Sequence, residues 1–189
     1  MTLPTVIRIF FAIDLPQNVK KTIAQFIGEL KRSAKTNGIR WTRLENLHIT
    51  LQFLAKINTQ DLSQLMDQVQ KNIADVKSLT FTFKSLALFP HPYRARVIVL
   101  DITPQEGLAK LAEGIGKGIQ ECQYEVEKRP FRGHLTLGRI KHLGHDLQFL
   151  ASAKIPSFAP IQVRQVVLFR SEPDENGSRY TVLGQIPLA

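Results

Sequence analysis

An α+β fold made of two similar halves is what this sequence predicts, and three observations predict it. Short β-branched and aromatic runs bounded by turn residues read as strands. Three longer stretches place apolar residues at helical spacing. The order strand, helix, strand bearing His-x-Thr, helix occurs once and then recurs, a pattern that an old duplication explains. No low-complexity linker divides the 189 residues, so one domain with its own core is expected.

Residues 6–14 (VIRIFFAID) form the first expected strand, stopped by Leu15-Pro16. Residues 17–36 follow as a helix with Val19, Ile23, Phe26, Ile27 and Leu30 on one face, closed by Asn37-Gly38. Residues 47–55 (LHITLQFLA) read as the second strand. A helix over 59–76 carries Leu62, Leu65, Met66, Val69 and Ile73 on one stripe, with Thr59 as its N-cap. Residues 79–89 and 96–102 read as strands joined by the turn segment Pro90-His91-Pro92-Tyr93-Arg94. Residues 104–120 form the third helix, and 131–140 contain another strand. Residues 161–170 and 180–186 then pair across Pro173-Asp174-Glu175-Asn176-Gly177. Gly114, Gly116 and Gly118 have neither the preceding strand nor the spacing of a nucleotide loop, and read as an irregularity in the third helix.

Hydrophobic content of 43% and charged content of 22% are ordinary for a globular protein. No run approaches the roughly 18 apolar residues of a membrane helix. The first sixteen residues carry Arg8 and Asp14 within their apolar run and lack a cleavage site, so no signal peptide is expected. Cys122 is the only cysteine; an internal disulfide is impossible, and a reducing, cytoplasmic setting is expected. The formal charge of +9 favours a polyanionic partner such as nucleic acid, although a basic surface also serves solubility alone.

Two segments carry chemistry: Leu47-His48-Ile49-Thr50-Leu51 and Gly133-His134-Leu135-Thr136-Leu137. On a strand, residues two apart share a face, so each His points the same way as its Thr while the flanking apolar residues face the core. Two such units facing each other suit a phosphoryl centre. A neutral imidazole takes a proton from water, a protonated one donates to the leaving oxygen, and the hydroxyls hold non-bridging oxygens. One His-x-Thr is usually structural; a second in an equally apolar strand tips the balance toward catalysis.

The two segments resemble the paired His-x-Thr-x signatures of the 2H phosphoesterase superfamily. The whole chain is similar to its bacterial and archaeal branch, the RNA 2′,3′-cyclic phosphodiesterases once called 2′-5′ RNA ligases. Further matches are RIFFAIDLP at 8–16, Ile39-Arg40-Trp41 ahead of Glu45-Asn46-Leu47-His48, Phe89-Pro90, Arg129-Pro130-Phe131, VLFRSE at 167–172, and Arg179-Tyr180-Thr181. The resemblance implies a bilobal α+β fold, with two antiparallel sheets lining a central cleft, helices outside and one motif in each lobe. It implies no metal and no cofactor. It makes His48 the proton donor and His134 the proton acceptor in hydrolysis, with Thr50 and Thr136 holding the phosphate. The expected partner is RNA with 2′,3′-cyclic phosphate ends, tRNA fragments among them, acted on by a monomer.

One departure stands out. The family commonly has proline before the second His, where this chain has Gly133, which is expected to loosen the backbone there. Arg139, three residues after Thr136, is a candidate for neutralising a phosphate. Strand parity puts it on the face opposite His134 unless a bulge intervenes. The same parity assigns Phe53 to the core rather than to base stacking. His142 and His145 have metal-pair spacing but no third ligand nearby, and read as a polar surface segment; His91 reads as an exposed loop residue. Other activities of the superfamily, such as cleavage of 2′-5′-linked oligonucleotides, use the same four residues, so the motifs do not separate them. A non-catalytic RNA-binding module would need neither histidine.

Overall fold

The computed structural model describes residues 4–141, 146–175 and 177–189. Its strands are β1 (Val6–Asp14), β2 (Ile39–Trp41), β3 (His48–Asn58), β4 (Leu79–Phe89), β5 (Val97–Thr103), β6 (His134–Ile140), β7 (Ile161–Val163), β8 (Gln165–Asp174) and β9 (Gly177–Pro187). They form two sheets, ordered β3-β1-β8-β9 and β2-β6-β5-β4-β7, and every pairing is antiparallel. Among the described residues three α-helices complete the fold: α1 (Gln17–Ser33), α2 (Leu62–Asn72) and α3 (Glu106–Glu121).

The repeated order of elements has a counterpart in register. In the first sheet Asp14 lies opposite His48 and Ala12 opposite Thr50, after which the register shifts so that Phe11 meets Gln52. In the second sheet Asp101 lies opposite His134 and Val99 opposite Thr136, and after the same shift Ile98 meets Gly138. Each motif strand therefore bulges at the leucine after its threonine, Leu51 or Leu137.

Chain segments cross between the sheets. β2, which precedes the first motif, pairs with β6 of the second. The strand expected over 161–170 breaks at Arg164: β7 pairs with β4, whereas β8 joins β1 in the other sheet. Single-sequence pattern cannot register such a break, because both pieces are apolar and alternate normally. The β8–β9 hairpin is longer than expected and runs to Asp174 and from Gly177.

The helices show three further differences. α1 ends at Ser33, because Ala34 is extended and Gly38 donates to Thr36 Oγ1 at 3.0 Å in a turn leading to β2. Thr59 does not cap α2: it opens a 3-10 turn, and its hydroxyl donates to Thr5 O at 3.1 Å and to Pro4 O, tying the turn to the start of β1. The glycines of α3 are not an irregularity. The helix runs regularly through them, and a Cβ at Gly118 would stand 2.7 Å from Val69 Cα of α2. The missing side chains of Gly114 and Gly118 let the two backbones approach closely. Among the described residues no helix is long and apolar enough to cross a membrane.

A continuous core packs α1, α2 and α3 against both sheets through residues such as Ile9, Phe11, Ile23, Ile49, Leu65, Leu108 and Leu135. A second, small cluster of Phe10, Ala12, Val167 and Phe169, with Tyr180 against it, lies on the opposite face of the first sheet. That face carries His48.

Candidate active site

His48 and His134 open their strands, and both sit where strand alternation places them beside their threonines. His48, Thr50, His134 and Thr136 line one cleft. Behind them, Ile49, Leu51, Leu135 and Leu137 are buried. The core thus anchors each motif by its alternate residues.

Each imidazole is held by the same backbone device. His48 Nδ1 lies 2.8 Å from Asn46 O, and His134 Nδ1 lies 2.8 Å from Arg132 O. A carbonyl only accepts, so Nδ1 carries hydrogen in both rings, leaving Nε2 as the nitrogen for chemistry. Thr50 Oγ1 is 3.0 Å from His48 Nε2, to which its hydroxyl donates while the ring is neutral.

The bulges decide what else reaches the cleft. Beyond Leu137 the parity of β6 reverses, which brings Arg139 to the cleft beside His134 and Thr136. Beyond Leu51 the same reversal turns Phe53 outward, 48% exposed and lining the cleft. The expectation that Phe53 belongs to the core is therefore corrected. Gln52 takes the inward place and donates to Ala112 O of α3 at 3.1 Å.

Residues outside the motifs complete the walls. Asn46 Nδ2 and Arg43 Nη2 each donate to Ser178 O at 2.7 Å, fastening the turn before His48 to β9. Tyr180 on β9 meets the His48 ring edge-on at 5.2 Å between centroids. Asn46, Ser178 and Tyr180 carry no catalytic signature in sequence, and the Arg179-Tyr180-Thr181 match is the one pointer to Tyr180. Arg40 adds positive charge to the lining, whereas Arg43 is paired to Glu45 at 3.1 Å and to Asp174 at 3.4 Å.

Gly133 is not loose. Its N–H donates to Gln105 Oε1 at 2.8 Å, and its carbonyl accepts from Gln105 Nε2 at 2.8 Å. This two-point clamp restrains the backbone directly before His134, and it uses an N–H that proline would lack.

Electrostatics separate the two rings. Burial is the largest influence on His48 and pushes it down to about 4, against the Asn46 carbonyl and Asp14, which raise it. Burial also lowers His134, opposed first by the Arg132 carbonyl. Burial thus favours the neutral form of both rings in the free protein. Asp14 is held by buried Lys20 at 2.5 Å and Asp101 by Arg132 at 2.9 Å, so the carboxylate opposite each histidine has its own cation. Among the described residues no group of three His, Cys, Asp or Glu side chains could hold a metal ion; His142 and His145 lie outside those residues.

Known proteins resemble this chain over nearly its whole length. Proteins named RNA 2′,3′-cyclic phosphodiesterase from Methanocaldococcus jannaschii and Thermotoga maritima are 27% and 28% identical to it. The first alignment covers 93% of this chain and 98% of that protein, the second 93% and 92%. The crystal structure of E. coli LigT complexed with 3′-AMP matches with a TM-score of 0.78 at 25% identity, over 97% of this chain and 99% of that one. The model of LigT-like phosphoesterases matches residues 13–99 and again 100–180, one motif in each stretch. With both motif strands in the match, this chain belongs to the LigT-like phosphoesterase family, within the 2H phosphoesterases.

Proposed function

We propose that this protein is an RNA 2′,3′-cyclic phosphodiesterase that opens a terminal cyclic phosphate to a 2′-phosphate. The observation that carries the reading is the pair of imidazoles on one cleft, each with Nδ1 committed to a carbonyl and a threonine two residues on. The relatives' shared name supports the substrate.

In this mechanism water attacks phosphorus and gives its proton to His134 Nε2. The P–O3′ bond breaks, and His48 Nε2–H delivers its proton to the departing O3′. The pair ends with His134 protonated and His48 neutral, and resets by proton exchange with solvent. Thr50 and Thr136 donate to the non-bridging oxygens, and Arg139 offsets their charge. Once His48 is protonated its Nε2 no longer accepts, so the Thr50 hydroxyl is released to the phosphate. The substrate's own negative charge favours a protonated imidazole beside it, which opposes the burial that lowers His48.

The RNA ends in question include those of tRNA fragments, and the enzyme acts as a monomer in the cytoplasm. Acid and base both come from imidazoles, so the mechanism requires no metal. Treating an oligonucleotide ending in a 2′,3′-cyclic phosphate with enzyme in EDTA, and typing the product by ³¹P NMR, tests both points. The expected product is a 2′-phosphate with a free 3′-hydroxyl. A predominantly 3′-phosphate product would reverse the histidine roles, and activity restored only by added divalent metal would sink the mechanism.

A further inference from the structure

A second groove adjoins the cleft and shares two of its arginines. It is lined by Arg40, Arg94, Ala95, Arg96, Arg139, Ile140 and Lys141. Arg40 and Arg139 also line the cleft with the two histidines. Five cations thus follow one another from the catalytic face outward.

Backbone pairing holds these side chains together from three parts of the chain. Arg40 on the edge strand β2 lies directly opposite Arg139 on β6. Ile140 N donates to Arg96 O at 2.9 Å, and Lys141 N to Gly38 O at 2.8 Å. Arg94 ends the 3-10 turn Pro92–Arg94, whose amide at 94 donates to His91 O at 3.0 Å. All five cations are exposed. Among the described residues no carboxylate forms an ion pair with any of them. Five like charges side by side repel, and a row of anions is what relieves that repulsion.

An independent feature borders the groove. Tyr93, next to Arg94, is 90% exposed, the most exposed large hydrophobic side chain among the described residues. Its amide donates to His91 Nδ1 at 3.3 Å, and its ring leans on the His91 ring at 5.2 Å. A held, solvent-facing aromatic beside a cationic groove is the pairing by which proteins take single-stranded nucleic acid, with the ring stacking a base and the cations following the backbone.

We infer that this groove, with Tyr93 at its edge, is a binding track for the single-stranded RNA upstream of the reacting end, so that the protein prefers polynucleotide ends to mononucleotides. The inference rests on the phosphodiesterase reading for the direction of the strand. Arg94, Arg96 and Lys141 lie outside the cleft, so their removal separates the track from the chemistry.

The test compares the wild type with a triple variant, Arg94→Ala, Arg96→Ala and Lys141→Ala. Two substrates are used, 2′,3′-cyclic AMP and a single-stranded decamer ending in a cyclic phosphate. We expect kcat/KM on the decamer to fall at least about tenfold, with turnover of the mononucleotide unchanged. Binding of the decamer by fluorescence anisotropy should lose about 2 from its log–log salt slope, at roughly 0.7 for each single-strand phosphate that is no longer neutralised. Tyr93→Ala should weaken decamer binding about tenfold without altering that slope. Unchanged decamer turnover and slope in the triple variant overturn the track, as do equal losses on both substrates. If the wild type turns over neither substrate, the phosphodiesterase reading falls. The wild-type and triple-variant salt slopes then still decide whether the groove binds RNA.

Discussion

The strand that bears His48 is built like the strand that bears His134, yet the side chains around the two imidazoles differ. Register, bulge and the carbonyl on Nδ1 are the same in both. Around His48 stand Phe10 at 4.7 Å, Tyr180 at 5.2 Å and Phe169 at 6.2 Å between ring centroids. His134 instead stacks on Phe89 at 5.3 Å, with the Arg132 guanidinium over the same ring and paired to Asp101. The backbone frame sets where each Nε2 is, and the neighbours set how readily it holds a proton. Burial, to which these three rings contribute, disfavours the charged imidazole and is the largest influence holding His48 near 4. Two similar backbone frames are thereby given unequal surroundings.

The most severe way to break this comparison is to remove either ring. His48→Ala and His134→Ala should each lower kcat by about 10² to 10⁴-fold in protein that remains folded. The double variant should be little worse than either single one, because the two act as a unit. Near-normal turnover in one single variant, with its fold intact, would show that the two halves are not partners.

The threonines come next. Thr50→Val and Thr136→Val preserve shape and remove one hydrogen-bond donor, and each should cost about 10²-fold in kcat with little change in KM. Only Thr50 touches its own histidine in the free protein. Thr50→Val should therefore also shift the kcat/KM pH profile, and Thr136→Val should not. Identical profiles in the two variants would mean that this contact has no bearing on proton affinity.

The parts of this arrangement that sequence shows are those set by local alternation. His48 with Thr50 and His134 with Thr136 are legible because i and i+2 share a strand face, and α1 and the body of α2 are legible from their apolar spacing. Phe53 and Arg139 are not, because one extra residue at Leu51 and at Leu137 reverses everything beyond it. A glycine inside a strand is one signal of such a bulge, and Gly138 stands immediately after Leu137. Its missing Cβ would lie 2.9 Å from Ile39 on β2, so the same residue admits the edge strand. No such marker accompanies Leu51. Tyr180 and Ser178 escape because β9 reaches His48 only through long-range pairing of β8 with β1. The Gln105 clamp on Gly133 spans 28 positions of sequence and is equally invisible to local pattern.

The smallest expected effect sharpens the comparison without any substrate. A histidine held neutral by burial makes the folded protein bind fewer protons than the unfolded chain below the ordinary value of 6.5. Its stabilising share is then whole above pH 6.5 and is lost as pH falls toward about 4. By pH 5 the His48 shift from 6.5 to about 4 accounts for a loss of about 2 kcal/mol. His134 is lowered for the same reason and adds in the same direction. Urea unfolding of wild type and His48→Asn at pH 8 and pH 5 would isolate the first contribution, since asparagine does not titrate. The variant should lose about 2 kcal/mol less than the wild type between the two pH values. His134→Asn should also lose less than the wild type, by a margin that measures how far Phe89 and the Arg132 side resemble the aromatic wall of the other half. An equal pH dependence in wild type and His48→Asn would mean that His48 charges freely in the folded protein. The aromatic cluster would then not be what distinguishes the two histidines.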